Sequence, residues 1–155
     1  MKLALLAGVL VASAAVVVGC AQTKSMLGMG DPIVERQQLM KEQGAAMKSI
    51  QDRLKAGQHQ AIGPDAEKLV ETSKKIPSLF PQGSLNPNIS RAKPEIWQKW
   101  PEFQANAKTL EAKATALAAI SKTGTAEATS AAVADLGKTT CTRCHDSFRG
   151  PEIKK

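Results

Sequence analysis

The chain is poor in aromatic rings. Its 155 residues include no Tyr, 3 Phe and 2 Trp, so it offers no row of platforms on which single-stranded nucleic acid could stack. Lys and Arg outnumber Asp and Glu by 21 to 14. They are scattered among the acids along helical segments, which describes solvated faces and not a phosphate-binding stripe. No nucleic-acid partner is expected, and acidic partners or anionic surfaces are favoured only weakly. Cysteine and histidine are scarcer still, at 3 and 2. No segment alternates apolar and polar residues with a period of two, so no strand is expected. Neither a repeat of solenoid period nor a Ser/Pro-rich linker divides the chain, which has the length of one domain. A small fold with so few large side chains has room in its core for a large apolar group.

Two of the three cysteines stand together, in Cys141-Thr142-Arg143-Cys144-His145. Two cysteines three apart with a histidine directly after the second is the attachment pattern of c-type haem. On a helix that spacing puts both sulfurs on one face, where they can form thioethers with the two vinyl groups of one porphyrin. His145 then follows at the place for a proximal iron ligand. A zinc site would need two further Cys or His ligands, and only the isolated Cys20 and His59 remain. A thioredoxin-like Cys-x-x-Cys would open a helix after a strand, whereas here an Ala-rich helical run leads into the motif. His59 falls in a polar connection and is given no role. The expected cofactor is one haem c, covalently held by Cys141 and Cys144.

Residues 1–19 read as a leader, with Lys2 as the basic start and an uncharged apolar run from Leu3 to Val18. The run is shorter than the ~20 apolar residues of a spanning helix, which favours cleavage over retention. It ends in Val17-Val18-Gly19-Cys20, which loosely resembles a bacterial lipobox in which Cys20 is acylated and becomes the first mature residue. Ordinary cleavage after Ala12-Ser13-Ala14 or after Ala21 is the alternative. The expected location is the periplasm, with the domain held at a membrane surface by lipidated Cys20. Residues 20–30 read as a flexible tether, 31–150 as the domain and 151–155 as a tail.

Asp31-Pro32 is a helix start, with Asp31 as N-cap and Pro32 in the first turn. Ile33, Met40, Met47 and Leu54 recur every seven residues, with Ile50 between the last two, and predict one apolar stripe ending near Gly57. Pro64-Asp65 opens a second helix with Leu69, Val70, Ile76, Leu79 and Phe80 turned inward. Pro77 and Pro81 disrupt its end. A loop follows from Phe80 to Ser90. Pro94-Glu95-Ile96-Trp97 reads as a helical turn, and Pro101 either kinks that helix or begins the main one. Phe103, Leu110 and Leu117 then repeat by seven, beside Ala107, Ala114 and Ile120, up to Gly124. The last helix is expected from about Thr125 to Arg149 through Ala128, Ala132, Leu136 and Thr140, stopped by Gly150-Pro151. Four helices with mostly short connections predict an all-α, antiparallel four-helix bundle with its haem near the C-terminus.

The chain resembles the class II c-type cytochromes, cytochrome c′ and its relative cytochrome c-556. The resemblance is carried by Arg36-Gln37-Gln38-Leu39-Met40-Lys41, Leu79-Phe80-Pro81-Gln82-Gly83-Ser84, Ala92-Lys93-Pro94-Glu95-Ile96-Trp97 and Cys141 through Arg149. Phe148 stands where some members carry Tyr. The resemblance implies that His145 binds the iron and that the first helix covers the opposite haem face with Met40 pointing at the iron. It places Arg36 and Gln37 near the propionates or the distal rim, and Arg149 close enough to tune His145. Homodimerisation through the first two helices is what cytochrome c′ implies for partners.

The role of Met40 separates two functions. If its sulfur binds iron, His/Met ligation raises the potential and closes the sixth position, which suits electron transfer with periplasmic redox proteins. If Met40 only packs over the iron, a five-coordinate, high-spin haem in an apolar pocket suits nitric oxide or carbon monoxide. Met40 followed by Lys41 and Gly44-x-x-Met47 looks more like the c-556 branch, so electron transfer is the expectation. Gly44 inside a helix costs ~1 kcal/mol relative to Ala, consistent with close approach to a large ring. Met47 reads as adaptable core filler. No enzymatic role is expected, because the first helix offers no acid-base group except Arg36, and Arg is a poor general acid.

Overall fold

The computed structural model describes residues 30–153. The expectations for the leader, for Cys20 and for the tether up to residue 29 lie outside them. Helix α1 spans Pro32–Lys55, and the Asp31 carboxylate caps it by accepting from the Ile33 amide at 2.8 Å. A 3-10 turn, His59–Ile62, leads into α2, Gly63–Lys75, and a second, Pro77–Leu79, leaves it. After the loop come α3, Glu95–Gln98, and α4, Trp100–Thr123. Pro101 therefore begins the main helix rather than kinking it. It sits in the first turn, where a missing N–H has no partner to lose. Lys99, at φ −116° and ψ 43°, makes the break between α3 and α4.

Gly124 ends α4 as expected, through close approach and not through unusual dihedrals. Its amide donates to the Ile120 carbonyl at 2.7 Å, and a Cβ there would fall 2.7 Å from the same oxygen. The last helix is one run of three parts: α5, Ala126–Leu136; a π-helical stretch, Gly137–Thr142; and α6, Arg143–Phe148. Single wide turns of this kind often mark functional sites. No strand occurs among the described residues; Ala92 and Arg149 form one isolated antiparallel bridge.

Two stripes depart in part from their expected phase. On α1 the buried apolar residues are Ile33, Leu39, Ala46 and Ile50, while Met40, Met47 and Leu54 are only half-buried. Met40 and Met47 face a cavity, whereas Ile33 and Ile50 of the expected stripe are buried as predicted, beside Leu39 and Ala46. In the last helix Leu136 and Thr140 are buried as expected, but at its start Thr129 and Val133 are buried while Ala128 is exposed and Ala132 half-buried. A run rich in Ala has too little contrast to give its own phase. The series on α4 is correct: Phe103, Ala107, Leu110, Ala114 and Leu117 are all buried.

Packing follows chain order. Helix α2 lies most intimately on α4, α1 on α2, and α5 on α4, whereas α1 and α5 scarcely touch. Ion pairs such as Arg53–Asp65 (3.1 Å) and Lys122–Glu67 (3.3 Å) stitch the outer faces and add little to stability. The deep contacts centre on Leu117, Ala114, Leu69 and Ala66, all essentially without solvent exposure. Leu117→Ala, on the α2-facing side and away from the cavity, should cost ~2–5 kcal/mol. Urea unfolding of the mutant should show that loss while its visible spectrum stays that of the parent.

Candidate functional site

Because α1 and the terminal run stand apart, a cavity of about 930 Å³ opens between them, at the upper end of the ~300–1,000 Å³ usual for ligand pockets. One wall is α1, with Met40, Gly44 and Met47. The other is the π-helical stretch and α6, with Thr140, Cys141, Cys144 and His145. The floor is apolar, from α4 and the crossover loop, and includes Leu110, Phe103 and Phe80. Every site residue expected within the described range borders this one space: Arg36, Gln37, Met40, Cys141, Cys144, His145 and Arg149.

The π-helical stretch explains how the motif faces inward. Thr140 is buried, and its hydroxyl donates to the Leu136 carbonyl at 2.6 Å while lying 3.7 Å from the Cys141 sulfur. Both cysteines are unpaired and half-buried. Burial, with a smaller push from Cys141, raises the Cys144 thiol to about 11, so it stays protonated at neutral pH. His145 is held below its ordinary value, first by burial and then by Arg149 and Arg91, with Asp146 opposing. That shift favours the neutral imidazole, the form that binds metal.

The cavity fits a haem. A Cβ built on Gly44 or on Gly137 meets no atom within 4 Å, so both walls are cut back to backbone where they border the open space. Two thiols and an imidazole line one side, and apolar groups dominate the rest, with Lys41, Gln51, Asn106 and Glu152 among the polar residues that also border the space. Three polar side chains of α1 at this border, Arg36, Gln37 and Gln43, are bonded to other parts of the protein. Gln37 donates to the Ile89 carbonyl at 2.6 Å, and Gln43 to the Thr72 hydroxyl at 3.2 Å. The Arg36 guanidinium is buried in the crossover loop, with its donors on Leu79, Ser84 and Ser90.

A profile of cytochrome c′ matches residues 31–149. The chain belongs to the cytochrome c′ family. It is 32% identical over 117 residues to cytochrome c′ of Pararhodospirillum photometricum, covering 74% of this chain and 92% of that one. The corresponding protein of Rhodopseudomonas palustris is 31% identical over 124 residues, covering 77% and 82%. The crystal structure of cytochrome c′ from Rhodopseudomonas palustris superposes with a TM-score of 0.70 at 28% identity, over 80% of this chain and 99% of that one. The bundle and its one covalent haem c, for which Cys141 and Cys144 are suited, agree with this membership. The c-556 branch suggested by Met40 and Gly44-x-x-Met47 finds no support among these relatives.

Several cytochrome c′ site residues had no role in the sequence reading. Lys93 donates from its amide to the Phe148 carbonyl (3.0 Å) and from Nζ to the Ser147 carbonyl (2.8 Å), closing the end of α6. Gly150 donates to Arg91, and Arg91 Nε donates back to Gly150. The Ala92-Lys93-Pro94 stretch was a visible signal without a function; its function is to pin the motif helix. Replacing both Cys141 and Cys144 by Ser should abolish haem staining on denaturing gels. Either single replacement should leave one thioether and a shifted pyridine haemochrome band.

Proposed function

We propose that this cytochrome c′ is a periplasmic monohaem protein whose iron is five-coordinate and high-spin, and that it binds or sequesters nitric oxide or carbon monoxide. This reverses the order of the two sequence expectations. When bound, the haem would supply a redox-active iron able to take a diatomic ligand. Cys141 and Cys144 tether it, and His145 offers a neutral ring nitrogen from the same helix.

The observation that carries the reading is the state of the opposite wall. Distal polarity and hydrogen-bond donors decide whether oxygen is held. Here Arg36, Gln37 and Gln43 are all committed to protein partners. Between them α1 borders the haem side with Met40, Gly44 and Met47, and its other polar side chains there, Lys41 and Gln51, are exposed to solvent. Such a wall stabilises no polar oxygen adduct and crowds the axial position with an adaptable thioether. Periplasmic placement rests on the leader-like residues 1–19, and a lipid anchor at Cys20 is a further proposal on the same stretch.

Electron transfer through a His145/Met40 iron is the competing reading, and one observation favours it: Met40 stands on the cavity wall. The ferric optical spectrum, with and without Met40→Ala, decides between them. The expected result is a high-spin spectrum unchanged by the mutation. Carbon monoxide affinity should rise about tenfold in Met40→Ala, since relief of crowding is worth ~1–3 kcal/mol. A low-spin spectrum with the far-red band of sulfur-ligated haem, lost in the mutant, would install electron transfer instead.

A further inference from the structure

Arg36 is only 3% exposed, and among the described residues it has no acidic side chain paired with it. Its Nη1 donates to the Leu79 carbonyl (3.4 Å) and the Ser84 hydroxyl (2.9 Å), and its Nη2 to the Ser84 carbonyl and the Ser90 hydroxyl, both at 2.8 Å. The guanidinium also lies 4.7 Å from the centre of the Phe80 ring. Four of the five N–H donors of the fork are thus spent on one loop. Hydrogen bonds from a charged donor are roughly twice as strong as neutral ones, so this is the firmest tie between α1 and the crossover segment.

The tie does not stop at the loop. The Ser90 hydroxyl that receives Arg36 also accepts from the Ala92 amide at 3.3 Å. Ala92 is bridged to Arg149, and its neighbours Arg91 and Lys93 exchange backbone bonds with Gly150 and Phe148. A continuous series of contacts therefore runs around the rim of the cavity. It begins one helical turn before Met40 and ends within one turn of His145. The two walls are braced against each other at a set separation.

That brace matters because nothing in the chemistry of Met40 keeps it from iron. A thioether is an established haem ligand, and the unbranched Met side chain adapts to its surroundings. What withholds the sulfur must be the placement of its helix. We propose that Arg36 is a positioning residue: by pinning α1 to the loop, and through it to the end of the motif helix, it holds the Met40 turn back and leaves the sixth iron position open. The proposal rests on the five-coordinate reading above.

The test uses the holo-protein with Arg36→Gln, Arg36→Lys and the double variant Arg36→Gln/Met40→Ala. In Arg36→Gln part of the haem should become low-spin with the far-red sulfur band, and carbon monoxide affinity should fall about tenfold. Arg36→Lys keeps the charge but not the fork, and should lie between. The double variant should return to the high-spin spectrum. Hydrogen exchange at the Ala92 and Lys93 amides should quicken in Arg36→Gln. Should that variant fail to accumulate, Ser90→Ala loosens the brace from the loop side and should shift the spectrum in the same direction by less. A parent that is itself low-spin overturns the five-coordinate reading and the proposal together. A high-spin parent, with variants whose spectra and gas affinity are unchanged despite faster exchange or lower thermal stability, leaves that reading standing and overturns the positioning role.

Discussion

The architecture depends on a separation that the helices do not close by themselves. Helices α2 and α4 make the compact half of the bundle, and α1 and the terminal run lean on them from either side while scarcely meeting. Apolar walls facing a gap of this size are unfavourable in water and become favourable once a large apolar body lies between them. Half-burial of Met40, Met47, Cys141 and Cys144 is the mark of that unfinished contact. The bundle is best regarded as a three-sided core awaiting its fourth side, and covalent attachment makes that side permanent.

Part of the polar chemistry of α1 is directed away from this gap. The α1 residues with the strongest donors at its edge bond to loop carbonyls and hydroxyls or to α2. Arg149 and Arg91 act on His145 in the sense that favours a neutral ring, after the larger effect of burial. The lining is mostly apolar, with Lys41, Gln51, Asn106 and Glu152 as polar residues along its border. On the proposed reading, such a wall discriminates by size and polarity more than by specific hydrogen bonds, and the distance of α1 from the motif helix adjusts it.

What could be read from the amino-acid order was what the chemistry makes local. Cys141, Cys144 and His145 announce themselves because thioether formation and ligation need that spacing, and Asp31-Pro32 because a helix start is decided within one turn. The α4 stripe was readable because Phe and Leu stand out against Ala and Lys. The α5 stripe was not, since Ala128 and Ala132 are indistinguishable from the Ala around them. On α1 the pattern was detected but read as one stripe: Ile33 and Ile50 are buried in protein as expected, while Met40 and Met47 face the cavity, and both kinds look apolar. The Arg36 brace could not be read, because its partners lie 43, 48 and 54 residues away and a lone Arg in a helix usually signifies solvent. The π-helical stretch is equally silent, being a response of Gly137–Thr142 to packing and not a propensity of those residues.

The scarcity of rings takes on a different meaning once they are located. Phe80, Trp97, Trp100, Phe103 and Phe148 form one connected cluster. Phe80 meets Trp97 at 6.4 Å and Phe103 at 4.8 Å, and Phe103 meets Trp100 at 5.5 Å and Phe148 at 5.4 Å. With no Tyr in the chain, every strong ultraviolet chromophore of the polypeptide is gathered at one edge of the cavity. The intrinsic emission of the molecule is consequently a gauge of a single place, dark when the neighbouring space holds a visible-light absorber and bright when it does not.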